Sequence, residues 1–280
     1  MNTLKLAFAS AALLLAACGS PATLEPTQTS TPRPTAIETP IPLELPQGPD
    51  AVWDLVIIGD SSLYGLGVAY ASQIESDVGV QVVLHNYANG GLSAGEVLQV
   101  LREQDSPNTR LRHLQAVLSE AEVVVMWLNP EASIDPQTPL DLDGCFVYLP
   151  PGPCGAETFA QWTSDLEAIW AEIFGLRNGA PTILRATDLY NPLLIPWTEH
   201  GVFEACTRCW ENMSDAARVA ADAYGIPFLS RLDAFNGPYH DEDPRQKGFI
   251  VGDGEHPSEL AGQFTAELLS QMGYEPVPPP

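Results

Sequence analysis

The chain carries the stretch VIIGDSS at residues 56–62, in which Ser61 follows an apolar run and a Gly-Asp pair. An unbroken apolar run predicts a buried strand, and the Gly-Asp pair predicts the turn that ends it. Strands buried on both faces are typical of parallel sheets covered by helices. Ligands of such sheets bind beyond the carboxyl ends of the strands, which is where we expect Ser61.

The rest of the chain continues the alternation that this strand begins. Apolar runs predict strands at 51–58, 80–85, 123–128, 182–185 and 226–229. Amphipathic stretches predict helices at 69–78, 93–101, 109–120, 157–174, 203–224 and 257–272. Strands that alternate with helices indicate an α/β fold with a doubly wound parallel sheet.

The stretch DGEH at residues 253–256 lies directly before the last predicted helix. A serine hydroxyl becomes a good nucleophile only when a neutral imidazole removes its proton, and a carboxylate must hold the correct imidazole tautomer. His256 is therefore the predicted base for Ser61. Asp253 is the predicted carboxylate, and Glu255 is a competing one on the same loop.

These stretches resemble the conserved blocks of the SGNH (GDSL) esterase/lipase family. VIIGDSS is similar to the first block and DGEH to the last, while NYANGGLS at 86–93 resembles the second block, in which a glycine follows strand two. Asn129, at the end of the third predicted strand, stands where the third block has its asparagine. The four blocks span nearly the whole globular region in the expected order.

The resemblance implies a three-layer α/β/α sandwich with a five-stranded parallel sheet in flavodoxin-like order. It also implies an oxyanion hole formed by the backbone N–H groups of Ser61 and Gly91 and the side chain of Asn129; Gly90 is a rival donor to Gly91. The third block usually reads Gly-x-Asn-Asp, whereas this chain has WLNP at 127–130. Asn129 can therefore instead cap the strand end only, which would leave two donors.

Composition limits the classes of partner. The chain has 280 residues, 36 acidic against 12 basic side chains, and a formal net charge of −24. Binding to nucleic acid or to an anionic membrane surface requires a basic patch, and the sequence shows none. We therefore predict no nucleic-acid partner and no membrane contact apart from the N-terminal anchor described next.

The N-terminus resembles a bacterial lipoprotein leader. Lys5 precedes an apolar segment at 6–17 that is too short to span a bilayer, and LAAC at 15–18 resembles a lipobox. We predict a signal peptide at 1–17, lipidation of Cys18, a disordered Pro/Thr-rich tether at 18–50 and a hydrolase-like domain at 51–275. An ordinary secretory signal with an incidental cysteine is the alternative. Lipidation would anchor an exported domain to the bacterial cell membrane.

Four further cysteines are an even number, which in an exported chain predicts two disulfides. We expect Cys145–Cys154 and Cys206–Cys209, with a zinc or redox site as the alternative for the second pair. The first bridge would stiffen a lid at 130–155, whose Phe146, Tyr148 and Leu149 offer an apolar wall to a substrate.

The sequence predicts no metal and no cofactor, since the spacings of the remaining histidines, His85, His113, His200 and His240, match no ligand pattern. The predicted function is a lipid-anchored extracytoplasmic serine esterase that cleaves short acyl or O-acetyl esters of a small molecule or glycan through an acyl-serine. One alternative is an O-acyltransferase that acts on a glycan. The other, suggested by the altered third block, is a non-catalytic surface-binding lipoprotein with the same fold. The oligomeric state is left open.

Overall fold

The computed structural model of the chain describes residues 44–103, 109–130, 143–146 and 154–280. Its centre is a five-stranded sheet in the order β2-β1-β3-β4-β5, and every neighbouring pair of strands is parallel. The strands are β1 Val52–Gly59, β2 Gln81–Ala88, β3 Val123–Trp127, β4 Ile183–Thr187 and β5 Phe228–Leu229. This is the flavodoxin-like order, so the predicted fold class is confirmed.

Helices flank the sheet in two groups, one with α1 packed on α9 and one with α2, α3 and α7 packed around α5. The α-helices of the described residues are α1 Leu66–Val78, α2 Ala94–Arg102, α3 Leu114–Glu120, α4 Asp143–Phe146, α5 Ala160–Arg177, α6 Leu194–Glu199, α7 Phe203–Asp222, α8 Arg231–Asn236 and α9 Glu259–Gln271. None of them is both long and apolar enough to cross a membrane.

The strand register brings the predicted site together at one edge of the sheet. Gly59, the last residue of β1, pairs with Ala88 at the end of β2 and with Trp127 at the end of β3. The segments that follow these three strands therefore leave the sheet side by side. All residues of β3 are buried, as expected for a strand in the middle of a covered parallel sheet.

The packed core extends beyond the predicted domain limits of 51–275 at both ends. Leu45 is only 7% exposed within the core, and the indole of Trp53 donates a hydrogen bond to the carbonyl of Pro46 (2.8 Å). At the other end, Val277 is buried, and its N–H donates to the carbonyl of Thr182 (2.9 Å). Residues 44–50, which fall within the predicted tether at 18–50, therefore include core contacts.

One predicted helix is interrupted, and three short helices of the described residues, α4, α6 and α8, were missed. The stretch 109–120 forms a 3-10 turn at Thr109–Leu111 and then α3, because His113 between them has a positive φ of 67°. Helices α6 and α8 have too few residues to show an apolar period. The start of α8 has a local signal, since the Ser230 hydroxyl accepts a hydrogen bond from the N–H of Asp233.

The disulfides differ from the predicted pairing. Cys145 is bonded to Cys206, and Cys154 to Cys209, with Cα–Cα distances of 5.6 and 5.3 Å. Cys206 and Cys209 lie one turn apart on the same buried face of α7. Each therefore meets a cysteine of the segment that follows β3, and neither the predicted pairs nor a zinc or redox site forms. Disulfides are typical of exported proteins.

The correction also changes the predicted lid. No Cys145–Cys154 bridge closes a small loop; instead the two disulfides attach both ends of 145–154 to α7. The indole of Trp197 on α6 strengthens this attachment by donating to the carbonyl of Cys145 (2.8 Å). Residues 131–142 and 147–153, with Tyr148 and Leu149, lie outside the described residues, as does the side chain of Phe146.

Peptide mapping of the oxidised protein should find the 145–206 and 154–209 links. Trypsin cleaves after Arg208 and separates Cys206 from Cys209, while chymotrypsin cleaves after Tyr148 and separates Cys145 from Cys154. Recovery of a linked 206–209 peptide pair would contradict the structure.

We expect Cys206→Ser to lower the free energy of unfolding by about 2–4 kcal/mol, because the bridge closes a long loop.

Candidate active site

Ser61 begins the 3-10 turn Ser61–Leu63 that follows β1. The preceding Asp60 caps this turn, and its Oδ1 accepts the backbone N–H of Ser62 (2.9 Å). Gly59 is required at this point because a Cβ there would lie 2.6 Å from the carbonyl oxygen of Trp127. The Gly-Asp-Ser order thus reflects a close strand contact at Gly59, a cap at Asp60 and a half-buried turn position at Ser61. The first α-helix begins only at Leu66, so no long helix dipole starts at this serine.

Trp127, which replaces the glycine of the third block, supports the same turn. Its indole N–H donates to the other carboxylate oxygen of Asp60 at 3.3 Å. Its ring is buried and packs edge-to-face on Trp162, with 5.6 Å between the ring centroids. The departure from the family pattern therefore adds a hydrogen bond to Asp60 and keeps the cap in place.

Asp253 and His256 face each other on the loop that precedes α9. The Oδ2 of Asp253 lies 2.8 Å from the Nδ1 of His256, and its Oδ1 accepts the N–H groups of Glu255 (2.9 Å) and His256 (3.0 Å). These backbone hydrogen bonds, with that to the imidazole, lower the pKa of Asp253 to about 2. Asp253, and not Glu255, is the carboxylate in contact with the imidazole.

Tyr64 contacts both His256 and the glycine pair after β2, a role that the sequence did not reveal. Its ring stacks on the imidazole of His256, with a centroid distance of 5.9 Å and an interplanar angle of 16°. Its hydroxyl oxygen accepts the N–H of Gly90 (3.1 Å). Gly91, with a φ of 67°, lines the cleft. Of the two glycines, Gly90 therefore has its N–H bonded to Tyr64, while Gly91 lines the cleft.

Asn129 lies beside this glycine segment. Its N–H donates to the carbonyl of Leu92 (3.1 Å), and its carbonyl accepts the N–H of Ala94 (3.3 Å). These bonds form an isolated parallel bridge between Ser93 and Asn129. The second and third blocks are thereby joined, and Asn129 reaches the same cleft as Gly91.

A cleft of about 250 Å³ collects the predicted residues at this edge of the sheet. Ser61, Gly91, Asn129 and His256 line it, while Asp253 lies behind His256. The walls that sequence reasoning missed are Leu189, Tyr190 and Pro192 after β4, Trp210 of α7, and Glu255. The only sequence signal for the first three is the Pro-containing loop that follows a strand.

The remaining histidines lie outside this cleft. His85 is bonded to Asp54 (2.6 Å), and His240 lies between Glu211 (2.8 Å) and Asp233 (2.7 Å). Within the four described ranges, no group of three or more His, Cys, Asp or Glu side chains is arranged to hold a metal ion. Cys18, the predicted lipidation site, lies outside those ranges.

Comparison with known proteins identifies the fold. The lipase Lip_vut3 from a goat rumen metagenome is 18% identical, with 80% of this chain and 98% of that chain covered and a TM-score of 0.58. The psychrotrophic esterase EstA from Pseudoalteromonas sp. is 14% identical, with 78% and 94% covered and a TM-score of 0.44. A two-domain esterase active on acetylated mannans is 10% identical, with 79% and 48% covered and a TM-score of 0.47.

The chain shares its three-layer α/β/α fold with the lipase from goat rumen. The other two structures, at TM-scores below 0.5, add nothing to this conclusion. No protein-family model matches the sequence, and no curated protein does either. At this level of identity the likeness concerns the fold alone, so the reaction has to be argued from the site.

Proposed function

We propose that the chain is a serine esterase with Ser61 as nucleophile, His256 as general base and Asp253 as the carboxylate that orients the base. The observation that carries the proposal is the 2.8 Å contact between Asp253 and the Nδ1 of His256, in a cleft that Ser61 also lines. A proton held on Nδ1 by a carboxylate leaves Nε2 free to accept the serine proton.

The reaction begins when Nε2 of His256 accepts the proton of Ser61 and the serine oxygen bonds to the ester carbonyl carbon. The backbone N–H groups of Ser61 and Gly91 and the side chain of Asn129 donate to the resulting oxyanion. His256 then gives its proton to the leaving alkoxide, which departs as an alcohol and leaves an acyl-serine. Water, deprotonated by His256, releases the acid and restores Ser61.

The cleft supports short acyl groups as the substrate class. Its volume of about 250 Å³ is below the usual range of ligand pockets, which starts at about 300 Å³. Leu189, Pro192 and Trp210 give it an apolar wall, while Asp60 and Glu255 add carboxylates to its lining. A short acyl or O-acetyl ester of an uncharged small molecule or glycan suits this lining better than an anionic ester.

The proposed location is outside the cytoplasm. Two disulfides support this location, because disulfides persist mainly in oxidising compartments. The lipobox-like LAAC at 15–18 and the Pro/Thr-rich stretch after it support lipidation of Cys18 and a tethered domain. Metabolic labelling with a palmitate analogue, compared between the wild type and Cys18→Ser, tests this part of the proposal independently of catalysis.

The activity is tested with nitrophenyl acetate, butyrate, octanoate and laurate. We expect kcat/KM to be highest for the acetate or butyrate and to fall for the longer chains, because the cleft has room for a short acyl group only. Equal rates across the series would contradict the proposed substrate class. An absence of hydrolysis of every ester would contradict the proposed function.

The pH profile should have a single acid limb. We expect kcat/KM to rise from acidic to neutral pH, because the base must be neutral to accept a proton. Asp253 adds no second limb in this range, since its pKa of about 2 keeps it ionised. Full activity well below pH 5 would exclude an imidazole as the base.

Asn129→Ala should lower kcat by roughly 100-fold with a smaller change in KM, because an oxyanion donor acts in the transition state. Asn89→Ala is the matched control, since Asn89 lies on the neighbouring segment and does not line the cleft. An unchanged kcat in Asn129→Ala would mean that Asn129 only joins the two loops and that two backbone donors suffice.

A further inference from the structure

A buried guanidinium lies directly behind the turn that carries Ser61. Arg231, the first residue of α8, is 2% exposed. Its Nη1 donates to the carbonyl of Ser62 (2.7 Å), and its Nη2 contacts the Ser62 hydroxyl (3.0 Å). The N–H of Ser62 is already bonded to Asp60. The backbone and side chain of the residue after Ser61 are therefore both fixed.

Asp188, directly after β4, holds Arg231 in this position. The Nε of Arg231 donates to the carbonyl of Asp188 (2.8 Å), and the backbone N–H of Arg231 donates to its Oδ1 (2.5 Å). The hydroxyls of Ser214 and Ser230 donate to Oδ2 at 2.6 and 2.8 Å. A buried charged side chain persists only when it is hydrogen-bonded, and the Asp188 carboxylate and the Arg231 guanidinium each meet that condition through their own hydrogen bonds.

Tyr190 connects the same guanidinium to the loop that carries His256. The guanidinium carbon of Arg231 lies 5.5 Å from the centroid of the Tyr190 ring, within the range of a cation–π contact. The hydroxyl of Tyr190 donates to the carbonyl of Glu255 (3.0 Å), the residue before His256. Arg231 thus contacts the serine turn directly and the histidine loop through one aromatic ring.

We propose that Arg231 is a positioning residue that sets the distance and angle between Ser61 and His256. This inference rests on the proposed esterase function. Proton transfer and attack depend on the alignment of the two side chains, and small displacements reduce the rate steeply. The two loops come from opposite ends of the chain, so a shared buried anchor keeps them in one arrangement.

The primary experiment compares Arg231→Lys with Arg185→Lys. Lysine keeps the charge but has no planar fork with which to contact the Ser62 carbonyl and hydroxyl and the Asp188 carbonyl together. We expect kcat to fall roughly 10- to 100-fold in Arg231→Lys with KM within about threefold, because alignment and not binding is lost. Arg185 is equally buried, but it donates to Leu184 and Gly273 and does not line the cleft.

If Arg231 only stabilises the fold and does not affect catalysis, the result will be different. Both substitutions would then lower the melting temperature, and kcat below that temperature would change equally in the two variants. A kcat loss in Arg231→Lys no greater than that in Arg185→Lys therefore overturns the inference. A loss confined to Arg231→Lys supports it.

A double-mutant cycle with Ser62→Ala tests the direct contact. Ser62→Ala alone removes the hydroxyl that Nη2 contacts, and we expect it to lower kcat by about three- to tenfold. On the Arg231→Lys background the same change should have little further effect, because the contact is already lost. Additive losses would show that Arg231 does not act through the Ser62 hydroxyl.

Amide hydrogen exchange separates failure of this inference from failure of the proposed function. Exchange at 60–63 and at 253–256 should be faster in Arg231→Lys than in the wild type and unchanged in Arg185→Lys. If the wild type hydrolyses no ester, the function fails while this coupling remains measurable. Unchanged exchange in both segments overturns the role of Arg231, whatever the activity.

Discussion

Ser61→Ala is expected to abolish ester hydrolysis, with a fall in kcat of about four to six orders of magnitude. Without the hydroxyl, neither the acyl-serine nor its breakdown is available, and only uncatalysed attack by water remains. The fold should be unaffected, because the turn is held by the Asp60 side chain and by backbone bonds that alanine retains. Steady-state rates on nitrophenyl acetate, together with thermal unfolding curves, provide the measurement.

Ser62→Ala is the matched control for this substitution. It removes a hydroxyl from the adjacent position, but that hydroxyl contacts Arg231 within the protein and is buried. Its loss should therefore cost no more than about tenfold in kcat. Equal turnover by Ser61→Ala and the wild type would exclude Ser61 as the nucleophile and with it the proposed mechanism.

The fold was predictable because its strongest signals are local. The apolar run of β3 predicts a strand buried on both faces, and all of its residues are buried in the structure. The order of the strands followed from the family resemblance. Boundaries were less certain, because Leu45 and Val277 join the core through contacts with distant residues that no local pattern shows.

The disulfide pairing could not be predicted from the local sequence. Four cysteines allow three pairings, and sequence proximity favoured the one that the structure does not adopt. What decides the pairing is that α7 is continuous through Cys206 and Cys209 and presents both on one buried face. The partner of each is then set by the segment packed against that face, which lies far away in the sequence.

Some residues of the candidate site were predictable from the local sequence, and others were not. Ser61, Asp253 and His256 were predicted because each lies in a short block whose chemistry is visible locally, and the structure brings Ser61 and His256 to one cleft. Their catalytic roles remain predictions. Tyr64 and Arg231 were missed because their importance lies in contacts across the fold; Arg231 is separated from Ser62 by 169 positions.

Asp253→Asn should lower kcat by about three to four orders of magnitude with little change in KM. The backbone explains why the effect should be so large. Oδ1 of Asp253 accepts two backbone N–H groups, from Glu255 and His256, so the amide oxygen of asparagine must occupy that position. The amide NH₂ then takes the place of Oδ2 and faces Nδ1 of His256.

An NH₂ group at this point donates to Nδ1 and so moves the imidazole proton to Nε2. Nε2 can then no longer accept the proton of Ser61, and the base is lost although its geometry is kept. The fold should tolerate the change, because the Asp253 side chain is 49% exposed. Kinetics on nitrophenyl acetate and a melting curve test both expectations.

Glu255→Gln is the control that isolates this tautomer effect. It removes one negative charge from the same loop and the same cleft, but it leaves the partner of Nδ1 in place. We therefore expect kcat to stay within about threefold of the wild type, as for an exposed charge that is screened by solvent. Comparable losses in the two variants would mean that the rate responds to the charge of the loop. A loss confined to Asp253→Asn would mean that it responds to the proton on one nitrogen of His256.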